Sequence, residues 1–279
     1  QQRLLALFAK AAYSQSKQLD VVIVGAGATG VELSAELMEA YHEIQGATGS
    51  KQHFHMHITL VEGAPRVLAG LPEKVSLQAM YALRAKHITV LTDTKVQAIH
   101  ANRVETSRGE LPADVIVWAA GIKAAERNQR FGLPVNRLNQ FEVNDRLQTV
   151  AEGVYAMGDC SACPWHDGKF VPARAQAAHQ QARYLARRFM ALYDGKPFDD
   201  VFVYRDSGSL VSLGDNQGVG NLMGSLAGKN FFIEGLIAKY MYMSLHLMHH
   251  KVILGWRKTA LLALARIFQT RVSGRLKLH

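Results

Sequence analysis

Residues Val21–Leu37 read VVIVGAGATGVELSAEL. Val21–Val24 is a β-branched run of the buried-strand type. Gly25, Gly27 and Gly30 follow at once, and Val31–Ala40 is built of good helix formers. A strand, a GxGxxG turn and a helix in that order form a cradle for a dinucleotide. Gly25 permits the tight turn, Gly27 lets backbone approach the pyrophosphate, and Gly30 lets the helix close on the strand. The phosphates then meet unpaired N–H groups at the helix N-terminus. A glycine turn with no nucleotide is the bland alternative, and the strand and helix on either side argue against it.

Working outward, His42–His55 is a looser insertion leading to a second strand, His57–Val61, closed by Glu62. A carboxylate at that strand end can accept hydrogen bonds from a ribose 2′-OH and would repel a 2′-phosphate, which favours NADH over NADPH. Glu62 lies 32 positions beyond Gly30, where about 20 is usual; the insertion accounts for the excess. Arg66 is a nearby cation that works against the preference. Pro72–Ala85 reads as a helix, Ile88–Thr92 as a strand, Lys95–Glu110 as a small meander, and Ala113–Trp118 as a strand running into Ala119, Ala120 and Gly121. Strands alternating with helices imply a parallel sheet with crossover helices.

Beyond Gly121 the texture is loopier to about Thr149. A short strand, Val154–Met157, runs into Gly158, Asp159 and Cys160, and Pro172 precedes a strong helix, Arg174–Tyr193. Tyr204–Leu213 has the pattern of strand and turn. Gly218, Gly220 and Gly224 have the wrong spacing for a second nucleotide loop. Residues 1–18 read as a helix with Leu4, Leu7, Phe8 and Ala11 on one face; Lys10 ends the apolar run too early for a signal peptide.

In 279 residues, 48% are hydrophobic and 20% charged, a globular balance that excludes a disordered chain. Cys160 and Cys163 are the two cysteines, too few for a disulfide framework. Their C-x-x-C spacing admits a redox pair, but inert packing is the expectation. His53, His55 and His57 share a strand face, and His246, His249 and His250 a helix face; neither trio has a carboxylate or thiol to complete a metal site, so no metal is expected.

The net charge of +9 is concentrated at one end. From Phe231 to His279 eight basic residues oppose Glu234 alone. The same tail is apolar. Ile233, Leu236, Ile237, Tyr240 and Met241 recur at helical spacing, Gly255 punctuates the chain, and Trp256, Leu261, Leu264, Ile267 and Phe268 then fall on one arc opposite Thr259, Arg266 and Thr270. Arg257 projects near the apolar arc and must snorkel. Basic residues beside Trp, Phe and Leu suit an interfacial helix on anionic lipid. Core-packing helices with solvated lysines are the alternative, and no nucleic-acid motif accompanies the charge, so no nucleic-acid partner is expected. No uncharged apolar run reaches the ~18 residues of a membrane span.

The stretches VVIVGAGATGVELSAEL, VWAAGIKA, GVYAMGDCSACP, VPARAQAAHQQARYLA and SGSLVSLG, with the terminal RLKLH, resemble the two-dinucleotide flavoprotein reductases and, more closely, the type II NADH:quinone oxidoreductases. AQAAHQ with the basic amphipathic end is the most specific part. The resemblance implies an α/β fold: a connecting helix over 1–20, a Rossmann-like NADH-binding domain over 21–118, the second half of a FAD-binding domain over 119–200, and a C-terminal strand and amphipathic helical membrane-association region over 201–279. By the same resemblance Gly25, Gly27, Gly30 and Glu62 would hold NADH, Glu32 would lie near nicotinamide and flavin, and Ala120 and Gly121 would present backbone where the nicotinamide enters. Gly158 and Asp159 would meet the ribityl–pyrophosphate part of FAD, and Ala175 would open the helix facing the flavin. Gln176 and Gln180 would line the quinone pocket; a surface helix with amide side chains is the plainer reading of their spacing. Many relatives carry Glu where this chain has Gln181.

The function so implied is hydride transfer from NADH to FAD and two electrons onward to a membrane quinone, without proton pumping, by an enzyme lying peripherally on the cytoplasmic face of a bacterial inner membrane. The resemblance also allows a homodimer. Other FAD- and NAD(P)H-dependent reductases, of the sulfide:quinone or ferredoxin type, are a second reading, and a non-catalytic, membrane-docked NADH-binding fragment a third. A separate GxGxxG for the ADP half of FAD is missing from the sequence, so that half-domain is expected upstream of Gln1.

Overall fold

A computed structural model describes residues 18–48, 54–214, 218–223, 230–234 and 253–265, together with Ala6, Ser244, Leu247, His250 and Lys251. Of the expected helix over 1–18, Ala6 is helical, Gln18 belongs to β1, and the other residues lie outside the described ones, as do Leu236, Ile237, Tyr240 and Met241 of the tail and residues 266–279. The chain divides into two compact units, one of residues 1–120 and 208–279 and the other of residues 121–207.

The first unit is built on a parallel sheet in the order β3-β2-β1-β7, comprising β1 (Gln18–Val24), β2 (His55–Val61), β3 (Thr89–Leu91) and β7 (Val115–Trp118). Helix α1 (Ala28–Thr48) crosses from β1 to β2 and α2 (Glu73–Ala85) from β2 to β3. A meander of β4 (Val96–Ile99), β5 (Arg103–Thr106) and β6 (Gly109–Pro112) leads from β3 to β7. Successive side chains of β1 point to opposite faces. Val21 and Ile23 enter the core shared with Val31, Leu37, Val75 and Leu83 of the two helices; Val22 and Val24 enter a second core with Val104 and Ala113 of the meander side. Both faces are covered, which is why β1 reads as unbroken Val and Ile rather than as an alternation.

Residues 42–48 of the insertion expected at His42–His55 are helix. α1 runs on to Thr48 because tertiary contacts reward it: the Tyr41 hydroxyl and Gln45 Nε2 both donate to the Phe54 carbonyl at 2.7 Å, and the Tyr41 and Phe54 rings meet edge-on at 5.3 Å.

Late in the chain, β10 (Ser209–Ser212), β11 (Gly218–Met223) and β12 (Asn230–Glu234) form an antiparallel sheet. Val211, Leu213 and Val219 join the core of α1 and α2. Gly218 and Gly220 therefore sit in a strand, and Ile233, read from its spacing as helical, lies in β12: Asn230–Glu234 pairs along its length with Val219–Met223, and a ladder overrides a weak helical period.

The second unit holds a 3₁₀ turn at Glu126–Phe131, the short parallel pair β8 (Phe141–Glu142) and β9 (Ser161–Ala162), a 3₁₀ turn at Gly158–Cys160, and helix α3 (Ala175–Tyr193). Its core gathers Leu147, Cys163, Ala177, Tyr184, Leu185 and Phe202. Val154–Met157 makes one bridge, Tyr155 with Gln148, instead of the expected strand. The Val154 N–H turns back to Ala151 and the Ala156 N–H bonds Leu147, so this segment closes a local hairpin.

Candidate functional site

The carboxyl ends of β1, β2 and β7 open into a cleft of about 280 Å³ bounded by Gly25, Glu62, Gly63, Lys95, Trp118 and Ala120, where open parallel sheets bind ligands. Gly25 has φ +101° and faces the β7 end so closely that a Cβ would come within 2.7–2.9 Å of the Ala119 and Ala120 backbone. At Gly30 a Cβ would collide with the Gly25 carbonyl. The first and third glycines are thus demanded by packing. Gly27, Ala28 and Thr29 are exposed, and no acidic side chain occupies the first turn of α1, so its N-terminal amides are open to an anion.

Glu62 does more than end β2. Its Oε2 accepts the Ala26 N–H at 2.7 Å and its Oε1 the Ala64 N–H at 2.8 Å. The carboxylate staples the glycine loop from below and keeps lone-pair capacity for ribose hydroxyls. Arg66, the cation expected to blur nucleotide preference, is committed elsewhere: it donates to the carbonyls of Leu71 and Ala69, both at 2.9 Å. Ala120 accepts the Trp118 indole N–H at 2.8 Å, and Gly121 follows with φ +75°.

Glu32 is on the first turns of α1. Its Oε1 accepts the Ser212 N–H of β10 at 3.0 Å. Burial pushes its carboxyl above the usual carboxylate range; the Ser212 bond opposes that rise and nearby Glu36 adds to it.

In the second unit the Gly158–Asp159 turn is pinned from two sides. The Gly158 N–H donates to Gln181 Oε1 at 2.6 Å, and the Asp159 carbonyl accepts from Gln140 Nε2 at 3.0 Å. Asp159 is exposed. Ala175 is the first residue of α3, which has no side-chain cap and no acid in its first turn.

Gln176 and Gln180 share a helix face, and both amides are engaged. Gln180 donates to the Arg205 carbonyl at 2.8 Å and accepts the Arg205 N–H at 3.0 Å. Gln176 accepts the Ser207 N–H at 3.1 Å and donates to Asp206 Oδ1 at 3.0 Å, while Asp206 Oδ2 lies 3.3 Å from Arg174. The helix grips residues 205–207 as a neighbouring strand would.

Two participants escaped the sequence reading. Gln181 is fully buried and holds the Gly158 turn; the clue was an amide between Ala177 and Tyr184 in the buried stripe of α3. Asp206 carried no local signal. Cys160 and Cys163 are free thiols, and burial pushes the Cys163 thiol up to about 11, far from a reactive thiolate. Among the described residues no group of three or more His, Cys, Asp or Glu side chains is placed to hold a metal; His53, His246 and His249 lie outside them.

Residues 253–265 are helical, with Gly255 at φ +77°, and the Gly255 carbonyl accepts the Thr259 hydroxyl at 2.8 Å. Thr259 is buried, whereas Trp256 and Leu261 are 66% and 69% exposed and Leu264 is 53% exposed. The apolar arc faces outward and the polar threonine inward, the reverse of a core helix. Arg257 lies 5.6 Å from the Trp256 ring centre. Ile267, Phe268, Arg266 and Thr270 lie outside the described residues. No helix among the described residues is long and apolar enough to cross a membrane.

The sequence is 39% identical over 266 residues to the type II NADH:quinone oxidoreductase of Haemophilus influenzae, covering 94% of this chain and 60% of that protein. It is 30% identical over 231 residues to the type II NADH:quinone oxidoreductase of Staphylococcus aureus, covering 80% of this chain and 57% of that one. The chain thus spans less than two thirds of the length of the curated relatives it matches. In structure it is similar to NDH2 from Plasmodium falciparum, solved in complex with NADH, with a TM-score of 0.78 at 19% identity over 95% of this chain and 68% of that one. A persulfide reductase from A. fulgidus gives a TM-score of 0.59 at 22% identity, over 77% of this chain and 37% of that one. Residues 4–182 match the pyridine nucleotide-disulphide oxidoreductase family. The mixed α/β architecture and that match together place the chain in the pyridine nucleotide-disulphide oxidoreductase family.

Proposed function

We propose that this chain belongs to a flavin-dependent NADH:quinone oxidoreductase that works peripherally on the cytoplasmic face of a bacterial inner membrane and pumps no protons. The observation that carries the reading is the Glu62 carboxylate at the mouth of the parallel sheet, bonded to Ala26 of the glycine loop at 2.7 Å and lining the cleft with Gly25. The likeness to relatives named for that activity supports it.

In this reading residues 21–118 bind NADH. Gly25, Gly27 and Gly30 bring the α1 amides to the pyrophosphate, and Glu62 accepts the adenosine ribose hydroxyls. Ala120 and Gly121 offer backbone to the nicotinamide side, and Glu32, half-buried and inclined to keep a proton, holds one beside the reacting ring. Residues 119–200 serve FAD. The residues present suit its flavin side: Gly158 adopts φ +68° with only Ala178 near its Cβ position, and the uncapped amides at Ala175 favour negative charge. Flavin, when bound, supplies the two-electron relay between NADH and quinone. Gln176 and Gln180 orient the segment 205–207 at the acceptor side, and an acceptor carbonyl can reach them by exchanging with one of those backbone bonds. Within 201–279, the outward apolar arc of residues 253–265 with Arg257 and Lys258 suits an anionic lipid surface.

Protein produced from the complete reading frame should carry visible flavin absorbance and oxidise NADH with membrane quinones as acceptors. Flavin-bearing protein that reduces ferredoxin or polysulfide but no quinone would replace the proposal by the second reading, and colourless protein that binds NADH would leave only a binding module.

A further inference from the structure

Two cations lie near the carboxylate that reads the adenosine ribose, and the structure treats them differently. Arg66 is locked into the turn at residues 69–71 by bonds to two carbonyls. Lys95 lines the cleft together with Gly25, Glu62 and Gly63. Its backbone is fixed from both sides: its N–H donates to Ser107 Oγ at 3.0 Å, and its carbonyl accepts the Ser107 N–H at 2.8 Å. The preceding Thr94 is buried and donates its N–H to the Glu62 carbonyl at 2.9 Å, which ties the Lys95 loop to the strand end that carries the acid. The Lys95 stem runs beside Gly63, where a Cβ would sit 3.8 Å from Lys95 Cγ. No carboxylate among the described residues pairs with its ammonium. Lys86 of the same unit, by contrast, is paired with Glu39 at 3.1 Å.

We propose that Lys95 is a specificity-determining residue of this site: it faces the adenosine-side charge of the bound dinucleotide and sets how far a 2′-phosphorylated nucleotide is tolerated. This rests on reading the cleft as the NADH site. Glu62 favours a ribose hydroxyl and repels a 2′-phosphate. Among the described residues Lys95 is the only basic one lining the cleft, so it offsets part of that repulsion. Arg66, held by its two carbonyls, does not contribute. An exposed charge pair has a modest, salt-screened effect, so the Lys95 contribution is largest at low ionic strength and fades as salt is added.

The test is titration of the whole chain with NADH and, separately, NADPH, by calorimetry. Lys95→Met should weaken NADPH binding about fivefold and NADH binding less than about twofold, an effect of the size expected for one partly exposed charge. Arg66→Met should leave the ratio of the two affinities where it was. The proposal is overturned if Lys95→Met weakens both nucleotides equally or neither, or if Arg66→Met is the variant that shifts the ratio. If the unsubstituted chain binds neither nucleotide, the NADH reading itself falls and takes the proposal with it; if it binds NADH and Lys95→Met changes nothing, only the proposal falls. Lys95 is exposed, and an unchanged circular dichroism spectrum checks that the variant is folded.

Discussion

Ala26 donates its backbone N–H to a carboxylate 36 residues away, Glu62 Oε2, at 2.7 Å. A second bond from Ala64 at 2.8 Å fixes the other oxygen. One side chain therefore holds the glycine loop and, in the proposed reading, stands where the ribose is read. Glu62→Ala should lower unfolding stability by about 2 kcal/mol through lost charge-assisted bonds, and should weaken NADH binding at least tenfold. Urea unfolding and calorimetric titration of the same sample check both.

Gly25→Ala should be among the most damaging single changes in the first unit. The added methyl meets main chain of Ala119 and Ala120, and φ +101° is strained for any residue with a Cβ. A loss of about 3 kcal/mol or more is expected. Gly27→Ala, with nothing within 4 Å of its Cβ position, should fold normally while losing nucleotide affinity.

Glu32 gives stability a dependence on pH. Its carboxyl is raised in the folded protein, chiefly by burial, so the folded state binds the proton more tightly than the unfolded chain does. The resulting stabilisation is complete below the unfolded value and is lost as pH rises through the folded one. Glu32→Gln, which keeps an acceptor for the Ser212 N–H, should remove that fall and leave the protein more stable than its parent above the window. Thermal unfolding measured from pH 4 to 8 reads the difference.

If the outward face of residues 253–265 meets lipid, the chain should sediment with anionic vesicles and far less with neutral ones. Adding salt should weaken the association. Leu261→Ser with Leu264→Ser should reduce it about tenfold or more, given ~25 cal/mol per Å² of apolar surface withdrawn from water, and should leave NADH binding by the cleft unchanged.

The parts of the molecule legible in the sequence are those whose cause is local. Val21–Val24, the three glycines and Glu62 announce a sheet mouth because strand, turn and acid each carry their own residue preference. What could not be read depends on partners far along the chain. Gly46 sits inside a helix because Tyr41 and Gln45 find the Phe54 carbonyl. Gln176 and Gln180 are spaced to share a face, but nothing in that spacing says that the backbone at 205–207 takes up their amides. The inward turn of Thr259 contradicts residue polarity alone, since only burial against neighbours tells which face of a helix is the wet one.

The return of β10 to the first unit has a practical consequence. The polypeptide leaves that unit after Ala120, builds residues 121–207, and comes back with Val211 and Leu213 to finish the hydrophobic core over α1 and α2. The first unit is thus stitched from two separated stretches of gene. A clone stopped near Gly121 would keep every glycine of the phosphate turn yet lack the capping strand, exposing oily helix faces and freeing Glu32 from Ser212. An excised module that stays in solution needs residues 208–279 rejoined to residues 1–120.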